Sequence, residues 1–151
     1  MTVRPLGEYE PSSAPDGDAV VQQYWPYDGP HDYERLLEAS AALVSLVRYL
    51  NNATSPGIQD INLPYAPVVD GLLGRVSSAV GGLDQLLDQF SQVLLRKSAD
   101  DTLYDDRRDR PGADTAEAAV EQLGAAQTAV RELHQALRQV GELTTHLGHD
   151  D

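Results

Sequence analysis

Between Val69 and Leu94 the sequence repeats in sevens, and three of the seven columns are apolar throughout. One column holds Val69, Val76, Leu83 and Phe90. The second holds Leu72, Ala79, Leu86 and Val93, and the third Leu73, Val80, Leu87 and Leu94. The remaining columns carry Asp, Ser, Gly, Gln and Arg, with Leu95 the one large exception. Recurrence at this spacing puts all three columns on one side of a helix, and a stripe that wide predicts contact with more than one neighbour.

Two further stretches share the helical period. Leu36, Leu37, Leu43, Val44, Val47 and Leu50 predict a helix over about 31–52. Pro30 is placed at its first position, where the missing N–H costs nothing, and Asp32, Glu34 and Glu38 favour a first turn through the helix dipole. Ala116, Leu123, Val130, Leu137 and Thr144 form one column of a final helix over about 115–147. Ala119, Ala126, Leu133, Val140 and Leu147 form a second, and both columns are expected in one seam. Asp114 and Glu117 have the spacing of a capping box. The central helix is expected over about 66–97, either continuous or broken at Gly81-Gly82, which would give four helices. Strand signals are absent. The expected fold is all-α, an antiparallel three-helix bundle.

The rest of the chain reads as connection. Residues 1–29 form an acidic, aromatic tail, 30–148 a single helical domain and 149–151 a short tail. Pro5, Gly7, Pro11, Pro15 and Gly17 interrupt any regular period before residue 23. Residues 53–66 are long for a bundle loop but apolar enough, through Ile58, Ile61, Leu63 and Tyr65, to lie against the bundle. Residues 98–113 mix Asp100, Asp101, Asp105, Asp106 and Asp109 with Arg107, Arg108 and Arg110, and read as a solvated, mobile loop.

Two features are candidates for contact. Tyr24, Trp25 and Tyr27, close to Tyr33, bring together large rings and the only tryptophan at the edge of the tail. Such rings either fold back over one end of the bundle or anchor a partner. Gly71, Gly74, Gly81 and Gly82 lie within the central helix, each costing about 1 kcal/mol against Ala, and with Ser77 and Ser78 they gather opposite the apolar stripe. That side is either a poorly optimised surface or a face of close helix approach.

Charge and chemistry narrow the function. The net charge is −13, while residues 68–97 balance three acidic side chains with three basic ones. An acidic chain without clustered Lys and Arg argues against direct nucleic-acid or membrane binding. The absence of cysteine removes disulfides, thiolate zinc sites and thiol nucleophiles, and fits a reducing compartment. No apolar run is long enough to span a bilayer and no Sec-type signal opens the chain, so a cytoplasmic location is expected. His31, His134, His146 and His149 have no closed metal-site spacing, Glu132 stands too near His134 for a Glu-x-x-His pair, and Asp100 to Asp106 lack the order of a calcium loop. Asp84 and Asp88 read as a solvated pair rather than an acid–base couple. No enzyme activity, cofactor or metal is expected.

The run Gly82-Leu83-Asp84-Gln85-Leu86-Leu87-Asp88-Gln89, with a last helix rich in Ala, Val, Leu, Glu and Gln, resembles small helical proteins of Streptomyces-type actinobacteria, some of them associated with plasmids and integrative elements. The resemblance covers residues 31–147, implies lineage and carries over no functional residue. Small helical secretion substrates of actinobacteria are marked by a Trp-x-Gly turn between two helices. Here Trp25 is followed by Pro26-Tyr27 and precedes the first long helix. The function expected is that of a non-enzymatic adaptor or assembly protein that binds a protein partner or itself. Its candidate contacts are Tyr24, Trp25, Tyr27, Gly71, Gly74, Ser78, Gly81 and Gly82. The alternative is an acidic regulatory protein that blocks a basic, nucleic-acid-binding partner.

Overall fold

The computed structural model describes residues 14–148, and these are all-helical. Five helices follow in order: α1 (Gly17–Tyr24), α2 (Tyr33–Ala53), α3 (Gln59–Asn62), α4 (Ala66–Ser98) and α5 (Gly112–Thr144). Among the described residues the only β pairing is an isolated antiparallel bridge between Tyr104 and Pro111. The chain divides into two units, Met1–Ile58 and Gln59–Asp151.

In the first unit, α1 was not foreseen. Its start is fixed by Asp16, whose carboxylate accepts from the N–H of Ala19 at 3.0 Å. That local bond supplies the cap that the surrounding Pro and Gly residues obscure. α2 begins two residues later than Pro30 suggested. Asp32 is its cap, accepting from the Arg35 N–H at 2.8 Å, so Pro30 stands outside the helix. Gly57, at φ +99°, takes the left-handed turn that follows α2.

The second unit is built on the antiparallel pair α4 and α5. Each has 33 residues, or roughly 50 Å. α4 runs unbroken through Gly81-Gly82, so the break considered above does not occur. Asp70 accepts from Thr144, Gly81 meets His134, and Asp84 accepts from Arg131 and Gln127. Numbers rise along one helix as they fall along the other, which fixes the antiparallel register.

The seam between these helices differs from the expected one. On α4 it uses Leu73, Val80, Leu87 and Leu94, all half-buried, together with Ser77 (8% exposed) and Ser91 (9%). Only one edge of the apolar stripe is therefore engaged. On α5 the first apolar column lies in the seam, led by Ala116 (6% exposed). Its companion is the column Val120, Gln127, His134 and Gly141, half-buried, and not the second apolar column, whose Leu133, Val140 and Leu147 are exposed. The polar bonds to Asp84 select this rotation of α5, because turning the second apolar column inward would carry Gln127 and Arg131 away from that carboxylate.

The loop between α4 and α5, read above as solvated, is organised around Asp105. This carboxylate is buried, accepts from the Thr115 hydroxyl at 2.6 Å and from the Arg107 N–H at 2.8 Å, and pairs with Arg107 and Arg110. Thr115 is thus held from outside the helix. α5 starts at Gly112 after Pro111 with no side-chain cap bond, so the capping box at Asp114 does not form.

Candidate interaction surfaces

The aromatic segment lies wholly in the first unit. Trp25 ends α1, its N–H donating to the Val21 carbonyl at 2.7 Å, and its ring lies 6.1 Å from that of Tyr24 at 54°. Trp25 is half-buried, while Tyr24 and Tyr27 are exposed. The segment is tied down at several points. The Tyr27 hydroxyl donates to Asp18 at 2.7 Å, Arg35 donates to the Tyr24 carbonyl at 3.3 Å, and the His31 ring bonds the Tyr27 carbonyl at 3.1 Å. The bond to Asp18 raises the Tyr27 hydroxyl pKa above its ordinary value, since that carboxylate accepts the proton the phenol would otherwise release. A shallow cleft of about 250 Å³ opens here, lined by Trp25, Tyr27, Pro30, His31, Leu36 and Ala39. Trp25 is therefore half-seated against the start of α2, with Tyr24 and Tyr27 flanking it in solvent.

Beyond this cleft α2 is open along its length. Leu36, Leu37, Leu43, Val44, Leu46, Val47 and Tyr49 are all exposed. A 21-residue helix with this stripe has an apolar side that stands exposed among the described residues of its own unit.

The glycine side of α4 divides. Gly81 makes a close approach: a Cβ there would come within 2.8 Å of His134 Cε1, so the imidazole lies on bare backbone. Next to it, Arg131 Nε is 3.0 Å from Asp84 Oδ2, and this carboxylate raises the Arg131 pKa further. A Cβ at Gly74 or Gly82 would meet nothing, and one at Gly71 would meet only the helix's own Arg75. Ser78 is exposed and donates to the Gly74 carbonyl at 2.9 Å. Of the residues named for this face, Ser77 is buried in the seam and Gly81 lies against α5, whereas a Cβ at Gly71, Gly74 or Gly82 would not meet that helix.

Periodicity alone did not single out the surface formed by the unused apolar columns. Phe90, Val93 and Leu94 of α4 and Ala119 and Leu123 of α5 line one groove of about 550 Å³ with no polar lining. Both helices therefore turn their spare columns to the same side of the hairpin. The available signal was the third apolar column of α4, one more than a single seam consumes.

Among the described residues no group of three His, Asp or Glu side chains is placed to hold a metal ion. His149, Asp150 and Asp151 lie outside those residues, as does the tail before residue 14. No helix of the described residues is long and apolar enough to cross a membrane. No protein-family model, curated protein or solved structure matches the chain.

Proposed function

We propose that the protein is a non-enzymatic helical interaction protein, an adaptor or assembly factor that works by presenting helix faces to a protein partner or to a second copy. One observation carries the reading. Among the described residues Ala116 is the only buried apolar side chain, while the stripes of α2 and of the hairpin stand in water. Folded chains of this size bury their large apolar groups, and extended exposed stripes mark surfaces that something else covers. Three amphipathic helices of this pattern also support a monomeric form of the same reading, in which α2 completes an antiparallel three-helix bundle with α4 and α5.

In this reading Tyr24, Trp25 and Tyr27 anchor a partner protein, with the adjacent stripe of α2 extending the contact and the Gly71, Gly74, Ser78 and Gly82 side of α4 open to a close helix. The mechanism is burial of a few rings and leucines, in which most of the affinity resides. Nucleic acid and anionic membrane are poor partners for a chain of net charge −13. A cytoplasmic setting fits the cysteine-free composition.

The test is affinity capture from the native host with the full chain and with the triple variant Tyr24→Ala, Trp25→Ala, Tyr27→Ala. The full chain should retain a discrete protein at 0.5 M salt and the variant should lose it, with the helical circular dichroism of both unchanged. Retention by the variant would remove the rings from the contact. Loss of the partner from the full chain at that salt would favour the charge-led alternative, an acidic protein that blocks a basic partner, because screening at high ionic strength weakens charge pairs far more than buried rings.

A further inference from the structure

We infer that the open face of the α4–α5 hairpin is a homodimer interface, on which a second copy of the chain stacks its own hairpin to complete a four-helix bundle. The inference rests on the interaction reading above and names the occupant of one of its surfaces. The face is a continuous strip. Phe90, Val93 and Ala119 line one groove, and the column that begins at Ala119 continues along the same side of α5 through Ala126, Leu133 and Val140.

Area, shape and charge each favour a second hairpin. Leu86 (39% exposed), Phe90 (49%), Val93 (42%), Leu133 (51%) and Val140 (40%) lie along the strip, with Val69, Leu72, Val76 and Leu83 half-buried beside them. Together they offer several hundred Å² of apolar surface per copy, on the scale of the ~800 Å² that each partner gives to a stable complex. The strip follows helices of roughly 50 Å, whereas a helix as long as α2, 21 residues, spans only about 32 Å. A second hairpin matches the whole length.

Shape is complementary under one symmetry operation. Near the loop, bulk lies on α4 (Leu86, Phe90, Val93) and small residues lie on α5 (Ala118, Ala119, Ala126). Further from the loop the Gly81–His134 contact sets Ala79, the small member of its column on α4, level with Leu133 of α5. A two-fold axis parallel to the helices sets α4 of one copy over α5 of the other at the same level. Phe90 and Val93 then meet alanines, and Leu133 meets Ala79. Large against small is what close packing of two helix layers requires.

Charge selects the same operation. α4 balances Asp70, Asp84 and Asp88 with Arg75, Arg96 and Lys97. α5 carries Asp114, Glu117, Glu121, Glu132 and Glu142 against Arg131 and Arg138, a net −3. The perpendicular two-fold would stack α5 on α5 and set these like charges together, whereas the parallel axis pairs each α5 with a neutral α4.

Sedimentation of the full chain at about 50 μM, a concentration well above the dissociation constant of a standard-size interface, should give twice the 16.4 kDa monomer mass. Phe90→Glu should weaken self-association at least tenfold with the helical circular dichroism retained. Because the chain has no cysteine, single-cysteine variants report the geometry even if that variant folds poorly. Val93→Cys mixed with Ala118→Cys should give a mixed disulfide-linked dimer in preference to either self-linked one. A mass of 16.4 kDa at every concentration would overturn the inference, as would self-linking of Val93→Cys in preference to the mixed product. A monomer that still captures its partner through the aromatic segment would sink this inference alone. A dimer that captures nothing would sink the adaptor reading and leave this one standing.

Discussion

The two sides of α4 invert the usual assignment of apolar and polar surface. The side that meets α5 is lined by small and polar groups, Ser77, Gly81, Asp84 and Ser91, with a single apolar column at its edge. The other columns leave Leu86, Phe90 and Val93 in solvent, with Val69, Leu72, Val76 and Leu83 half-buried. Burial alone would have turned the wider stripe inward, since each large side chain removed from water contributes about 1.5–3 kcal/mol. The hairpin is instead set by specificity: a close approach at Gly81, the bonds to Asp84 and the Asp105 loop. A seam built from such features fixes register with little burial, and it leaves the apolar face available for assembly.

The largest effect expected on the closed side comes from Gly112. A Cβ there would fall 2.6 Å from the Leu103 carbonyl oxygen and 2.7 Å from the Tyr104 nitrogen, and neither is a flexible side-chain end. Gly112→Ala must push the loop off the start of α5 and break the Tyr104–Pro111 bridge. A loss of about 2–3 kcal/mol is expected in chemical denaturation. A change below 0.5 kcal/mol would show that the loop does not hold the hairpin closed.

The glycines of α4 give a smaller, signed comparison. Gly74→Ala enters open space and should stabilise the helix by up to about 1 kcal/mol through backbone propensity alone. Gly81→Ala gains the same propensity but drives the His134 ring aside, so its net effect should fall about 1 kcal/mol short of the Gly74 variant. Replacing His134 with Ala in both backgrounds should bring the two variants together. Equal effects with His134 present would break the distinction between a close-approach side and an idle one.

Much of this fold was legible in the sequence, and what was missed shares a physical cause. The long helices follow from their periodicity, and the observed limits of α2, α4 and α5 lie within three residues of the expected ones. Periodicity reports which residues share a side, but not which neighbour that side meets. It therefore grouped Leu133, Val140 and Leu147 with the seam, whereas contacts 43 and 47 residues apart, Gln127 and Arg131 to Asp84, rotate α5 the other way. The cap at Asp114 failed for the same reason. The Thr115 hydroxyl is claimed by Asp105, ten residues earlier, a partner that no local motif reveals. Of the candidate contact residues, Trp25, Tyr27 and Gly81 have structural neighbours that account for part of their chemistry, whereas Gly74 is open and the Tyr24 ring, beside Trp25, is exposed.

The expected effect most sensitive to acid is at Asp105. Its carboxyl pKa is lowered to about 2 from 3.8, first by the Thr115 hydroxyl, then by the Arg107 N–H and guanidinium, which outweigh the opposing cost of burial. A carboxylate with a folded value below its unfolded one binds fewer protons in the native state. Its stabilising contribution is therefore whole above about pH 4 and is lost as the pH falls through 2. Asp105→Asn removes this dependence while keeping a side chain that accepts from Thr115. The stability of the variant should accordingly fall less steeply between pH 4 and pH 2 than that of the parent, whose advantage should be greatest at neutral pH and shrink as the pH falls toward 2. The phenol–carboxylate pair of the first unit, Tyr27 and Asp18, serves as the internal contrast, because Asp105→Asn leaves it untouched. Tyrosine absorbance of Tyr27→Phe against the parent, titrated above pH 10, should report that pair unchanged by the substitution. If the acid limb keeps its slope in Asp105→Asn, the organised loop is a consequence of the α4–α5 seam, and Gly112 and Gly81 alone set the closed side.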